Sequence, residues 1–83
     1  MDYETTSMDK AIFLMCRKKE LLSINDNKVD IRRKIFVFED AEGECIKLIN
    51  AYDYGLPNNE NVMIDGRDWS ANSKKIKQLL HEI

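Results

Sequence analysis

The residues most able to do chemistry are one histidine, His81, and two cysteines, Cys16 and Cys45. A histidine acting as a general base needs a nucleophile or an orienting carboxylate beside it. His81 falls with Lys74, Lys77 and Gln78 on the polar side of a helical pattern, so it is expected in solvent. Both cysteines lie inside apolar runs, Ala11 to Cys16 and Cys45 to Ile49, and read as buried thiols that behave as small hydrophobes. Nothing argues for the oxidising compartment that a disulfide needs, and two cysteines with one distant histidine match no zinc spacing. Asp53, Asp65 and Asp68 could approach a cation, but the two acids around Gly66-Arg67 read first as turn and cap residues. Gly43, Gly55 and Gly66 stand alone, so no glycine-rich phosphate loop is present. The chain is therefore read as non-enzymatic, with no catalytic, cofactor or metal residue assigned.

Charge runs offer a second kind of chemistry. Arg32-Arg33-Lys34, with Lys74 and Lys77 near the C-terminus, form a candidate nucleic-acid surface. Phe36, Phe38, Tyr52, Tyr54 and Trp69 would supply stacking platforms. Against this stand a net charge of −2 and a pI near 5.3, where phosphate binding favours a basic balance. The charge is unevenly spread: residues 66–83 carry four bases against two acids, and residues 31–65 four bases against seven acids. The densest run of one sign is Glu39, Asp40, Glu42 and Glu44. Its structural reading is helix capping; its functional reading is a protein-binding surface that steers a basic partner.

The elements that must position these residues fit one domain spanning 1–83, with residues 1–5 expected to be disordered. The chain is 43% apolar and 34% charged, too apolar for a disordered chain and too charged for a membrane span. The acidic start Met1-Asp2-Tyr3-Glu4 is unlike a signal peptide, so a cytoplasmic location is expected. Met8, Ala11, Ile12 and Met15 predict a helix over about 7–19, capped near Thr6-Ser7 and buried on more than one side. Leu21 to Ile24 and a long return strand, Val29 to Phe38, predict a hairpin that turns at Asp26-Asn27-Lys28. Alternation places Val29, Ile31, Ile35 and Val37 on one face, with Phe36 and Phe38 on the other. Asp40 is expected to cap a second helix whose stripe is Ala41, Cys45, Leu48, Ile49 and Tyr52, weakened by Gly43 and ended by Gly55 and Pro57. Val62 to Ile64 predict a short third strand, broken by Gly66. A last helix over about 70–81, capped by Asp68 or Ser70, buries Ile76, Leu79, Leu80 and Ile83. The expected fold is α+β in the order α-β-β-α-β-α, a three-stranded sheet packed with three helices.

Several segments together carry a resemblance. Thr6-Ser7-Met8-Asp9-Lys10-Ala11-Ile12-Phe13-Leu14, Phe36-Val37-Phe38-Glu39-Asp40, Leu48-Ile49-Asn50-Ala51-Tyr52 and the stretch Val62 to Leu80 resemble, in order, a small family of phage and bacterial proteins known as a domain of unknown function. Members often carry Gly where Lys19 stands, so the first helix is expected to end differently in this chain. The matched positions are core and cap positions, which specify a fold and no reaction. The resemblance implies a phage or mobile-element setting. The expected function is a non-enzymatic protein-binding accessory factor, such as an inhibitor of a host or defence protein. The partner is a protein and not a membrane, with self-association left open. The alternative is a nucleic-acid-binding module built on residues 32–34 and the last helix.

Overall fold

In the computed structural model, residues 2–54 and 65–82 are described. The order among them is β1 (Asp2–Thr5), α1 (Met8–Cys16), β2 (Leu21–Asp26), β3 (Lys34–Glu39), α2 (Glu44–Tyr54) and α3 (Gly66–His81). The α+β class, the three strands and the three helices are as expected. The third strand, however, comes from the N-terminus. The strand expected over 62–64, and the loop and helix stop expected over 55–61, lie outside the described residues, as does Ile83.

The sheet is antiparallel in the order β1-β3-β2. Asp2–Thr5 is ordered, which corrects the expectation of a disordered start. A central strand must satisfy backbone groups along both edges, and β1 supplies the second edge of β3, with Tyr3 opposite Phe38 and Thr5 opposite Phe36. Directly paired residues share a face. Tyr3, Phe36, Phe38, Leu21 and Ile24 therefore all point to the helical side, and each belongs to the core or packs against it. Val37 faces the other way yet is buried between its neighbours Glu4 and Ser23. Its burial follows from its central place in the sheet.

The hairpin is shorter than its apolar pattern suggests. The return strand starts at Lys34, and residues 27–33 form a loop. Val29 and Ile31 do not share a sheet face with Ile35 and Val37: they are 97% and 88% exposed.

Helix α1 is the centre of the domain. Ser7 caps it, with its Oγ accepting from the Lys10 backbone N–H at 3.3 Å. Every residue from Ala11 to Cys16 is buried. The helix stops earlier than expected. The Lys18 N–H donates to the Met15 carbonyl and the Lys19 N–H to that of Leu14, the two bonds of a Schellman ending. The residue that turns the chain is Lys18, at φ +64.

Helix α2 also starts later than its stripe suggests. Gly43 lies before the helix at φ +72 and closes a turn onto the Asp40 carbonyl, so it belongs to the cap and does not weaken the helix interior. Cys45 and Ile49 are buried, Leu48 and Tyr52 pack against the core, and Ala41 is exposed outside the helix. Helix α3 starts earlier than expected. Asp65 is its cap, accepting from the Arg67 N–H at 2.7 Å, and Gly66 opens the helix. Ile76 is its one buried residue, with Trp69 and Leu80 packed on the core.

Phe36→Ala is expected to cost about 3–5 kcal/mol in chemical denaturation, because it opens a cavity beneath α1. A loss below about 1 kcal/mol would contradict the strand orientation described above. Lys18→Gly is expected to raise stability by about 1 kcal/mol, since glycine takes a left-handed conformation without the Cβ penalty. An unchanged or lowered denaturation midpoint would contradict the assigned helix ending.

Candidate functional site

The hairpin loop is held by its own side chains. Asn27 Oδ1 accepts from the backbone N–H groups of Val29 and Asp30, at 3.0 and 3.2 Å. Asp30 Oδ1 accepts from the Arg32 N–H at 3.0 Å, and the Asp30 carbonyl from the Arg33 N–H at 3.1 Å. These local bonds compete with the ladder and explain why β-branched residues do not extend the strand. The result is a folded tip that presents Val29 and Ile31 to solvent, flanked by two guanidinium groups.

The candidate nucleic-acid residues divide between this loop and α3. Arg32 and Arg33 both lie near the Asp30 carboxylate, Nε to oxygen 3.5 and 3.8 Å. Lys34 pairs across the hairpin with Asp26, whose carboxyl it holds below the usual range. Lys74 and Lys77 are exposed on α3. The stacking platforms are mostly spent on the fold. Phe36 and Phe38 are buried, Tyr52 stacks on Phe13 with centroids 4.8 Å apart, and Trp69 packs on the core. Tyr54 alone of the five is a large exposed ring. Base stacking on β3 is therefore closed.

Glu39, Asp40, Glu42 and Glu44 line one open cavity of about 310 Å³ together with Lys18, Lys19 and Glu20, but they do not play one role. Asp40 is only 6% exposed, and its Oδ1 accepts from the Cys45 backbone N–H at 2.8 Å, so it is a structural cap. This corrects its assignment to a binding face. Glu39 and Glu42 are exposed, and Glu39 Oε1 accepts from the Ala41 N–H. Glu44 pairs with Lys19: the ammonium lowers the Glu44 pKa, and the bond raises that of Lys19. Sequence periodicity marks these acids but cannot separate a cap from a surface charge. The sharper signal was the Asp40/Gly43 spacing, which fits a turn preceding a helix.

The remaining reactive groups are placed as follows. Both thiols are free and buried. Asn72 Nδ2 lies 3.4 Å from Cys16 Sγ, and burial pushes the Cys16 thiol up. Cys45 Sγ donates to the Glu39 carbonyl at 3.5 Å; burial, reinforced by the Asp40 charge, pushes this thiol up to about 11. His81 is exposed in the last turn of α3. Asp53 pairs with Lys10 at 3.2 Å, while Asp65 caps α3. Among the described residues no group of three metal-ligating side chains comes together, and no helix is long and apolar enough to cross a membrane.

A family model described as a domain of unknown function, DUF5659, matches residues 1–82. No curated protein and no solved structure matches the chain.

The thiols give a direct check. Cys45 is protonated in the fold up to a pH near 11, whereas an exposed thiol ionises near 9. Its contribution to stability is complete below pH 9 and is lost as pH rises through 11. Stability is therefore expected to fall over that window, with a shallower slope in Cys45→Ala. Iodoacetamide should label both cysteines slowly in the native protein and fast after denaturation. Equal slopes, or native labelling at the denatured rate, would contradict the placement of the thiol.

Proposed function

The chain belongs to this family of unknown function, and from the surfaces of this member we propose that it is a non-enzymatic protein-binding factor that acts through the hairpin loop. One observation carries the reading: a loop tied down by four side-chain and backbone hydrogen bonds holds Val29 and Ile31 almost fully in water. Burying an aliphatic side chain of this size yields about 1.5–3 kcal/mol, so the domain forgoes a sizeable gain at each. A loop already ordered before contact loses little entropy when a partner covers it. Arg32 and Arg33 on the same loop add a residue type enriched in protein-binding hot spots.

The phage or mobile-element setting and the role of inhibitor extend this reading and rest on the resemblance of the core segments. The cytoplasmic setting is supported by two free thiols, which suit a reducing compartment. Nucleic-acid binding is disfavoured because the aromatic residues on β3 face the core and Arg32 and Arg33 share the Asp30 carboxylate.

The test separates apolar from ionic recognition. A photo-crosslinking residue placed at position 31 in host cells is expected to capture a discrete protein, and one at position 77 is not. Val29→Ser combined with Ile31→Ser keeps every charge and should shift stability by no more than about 0.5 kcal/mol. It should nevertheless abolish the interaction with that captured protein. Retained binding in the double variant would overturn the reading. So would binding of a mixed DNA and RNA pool at about 50 mM salt that is released by about 200 mM and lost on reversing Arg32, Arg33 and Lys34 to Glu.

A further inference from the structure

The two ends of the β2–β3 hairpin carry opposite charge. At the tip, Lys28, Arg32 and Arg33 stand against one acid, Asp30, a net of +2 on a chain of net −2. The Arg32 and Arg33 side chains are 89% and 63% exposed. At the base of the tip Lys34 and Asp26 cancel each other. Glu4 and Lys10 line the space beside Ile35, and Lys10 pairs with Asp53, which leaves one carboxylate there.

At the other end Leu21 pairs with Phe38, the Glu39 N–H donates to the Glu20 carbonyl, and the sign is reversed. Glu20, Glu39, Asp40, Glu42 and Glu44 line the cavity of about 310 Å³, which Lys18 and Lys19 share. Asp40 gives its charge from beneath while it caps α2. An adjoining cleft of about 400 Å³ shares Lys18, Lys19 and Glu20, adds Lys75, and has apolar lining from Met15, Leu21 and Leu79. The two spaces together hold five carboxylates and three ammonium groups, a net of −2. The tip thus has uncovered aliphatic side chains and a charge of +2, and the far end has apolar lining and a charge of −2. The strands between them hold the two ends about 17 Å apart, at about 3.3 Å per residue. This ladder is paired from Leu21 to Asp26, so a tip cannot fold back onto its own far end.

We infer that the hairpin tip docks on the far end of the same hairpin in a second copy of this chain. Val29 and Ile31 enter the cleft against Met15, Leu21 and Leu79, and Arg32 and Arg33 approach the exposed Glu20 and Glu42. The inference rests on the reading of the tip as a protein-binding element, and it names the partner. Because the joined surfaces differ, the contact is head-to-tail. A dimer keeps one free tip and one free far end, so assembly continues past it. The separation of charge along the hairpin orients the approach, since unlike ends attract and like ends repel.

The experiment is sedimentation of the protein alone over a concentration series, at about 0.05 and about 0.5 M salt. The mean mass is expected to rise past that of a dimer at the lower salt and to fall back toward a monomer at the higher. Val29→Ser with Ile31→Ser, and Glu20→Lys with Glu42→Lys, change exposed side chains and should leave thermal unfolding nearly unchanged. Each pair should weaken association by about tenfold or more. An equimolar mixture of the two variants has one intact tip and one intact far end, so it should form a dimer and nothing larger. The methyl signals of Val29 and Ile31 should shift with concentration in the wild type and stay fixed in the lysine pair. A wild type that stays monomeric up to about 1 mM overturns the inference. If position 31 still captures another protein in cells, the protein-binding reading of the tip then stands without it. Association unchanged by the serine pair also overturns the inference, as does a mixture of variants that stays monomeric or grows past a dimer.

Discussion

Everything in this domain follows from a helix that has no face to give to water. Six consecutive residues of α1, Ala11 to Cys16, are buried. At about 100° per residue, six positions go fully round the helix. Such a helix is stable only if other elements cover it on every side. The sheet covers it through Phe36 and Phe38, α2 through Cys45, Ile49 and the Tyr52 ring stacked on Phe13, and α3 through Ile76. With nine residues α1 is too short to persist alone in water, so its helicity comes from packing. The surrounding elements are bound by the same condition. A three-stranded sheet with one covered face, and two amphipathic helices, each bury their apolar side against this centre.

That condition also decides which side chains are left for function. Most aromatic rings and both thiols are drawn inward, which removes stacking surfaces and reactive sulfur together. Many of the polar side chains that suggest a site from composition are taken up in ending and starting helices. Ser7 caps α1, Asp40 receives the Cys45 N–H in the first turn of α2 through a buried carboxylate, and Asp65 caps α3. A carboxylate in such a place is fixed by the backbone it serves. What remains at the surface is a few charges and the aliphatic residues that the core did not take.

Much of the fold was legible from periodicity. The stripes of α1, α2 and α3 and the Phe36/Phe38 alternation are strong local patterns: Ala11, Ile12, Met15, Cys45, Ile49, Ile76, Phe36 and Phe38 are buried as they imply, whereas Ala41 is exposed. Helix ends were off by a few residues, because caps depend on side-chain bonds and on residues such as Lys18 and Gly43 at positive φ. β1 was hidden for a different reason. Four residues, two of them acidic, carry little strand signal, and the pairing that orders them lies more than thirty residues away on β3. The hairpin loop misled in the opposite direction. Val29 and Ile31 alternate with Asp30 and Arg32 as a half-buried strand would, while the bonds from Asn27 and Asp30 that prevent a strand leave no periodic trace. The candidate site was legible only as charge: the acids of 39–44 could be seen, but Asp40's burial and Glu44's pairing depend on the tertiary fold.

The places where local preference and structure disagree form a pattern of their own. A sequence that folds well is consistent across levels, and its exceptions concentrate where something other than stability is served. Here the clearest exceptions are a lysine in a left-handed conformation and two β-branched residues left in water. Neither strengthens the core: Lys18 costs what glycine would not, and Val29 and Ile31 bury almost nothing. In the chain they bracket β2, Lys18 three residues before its first residue and Val29 three after its last. Among the described residues the intervening strand is an edge of the sheet, and its pairing with β3 is irregular between Leu21 and Ser23. The core accounts for α1, β3 and the inward sides of the helices. It does not account for the two ends of β2, where a lysine takes a left-handed conformation and two aliphatic side chains stand in water.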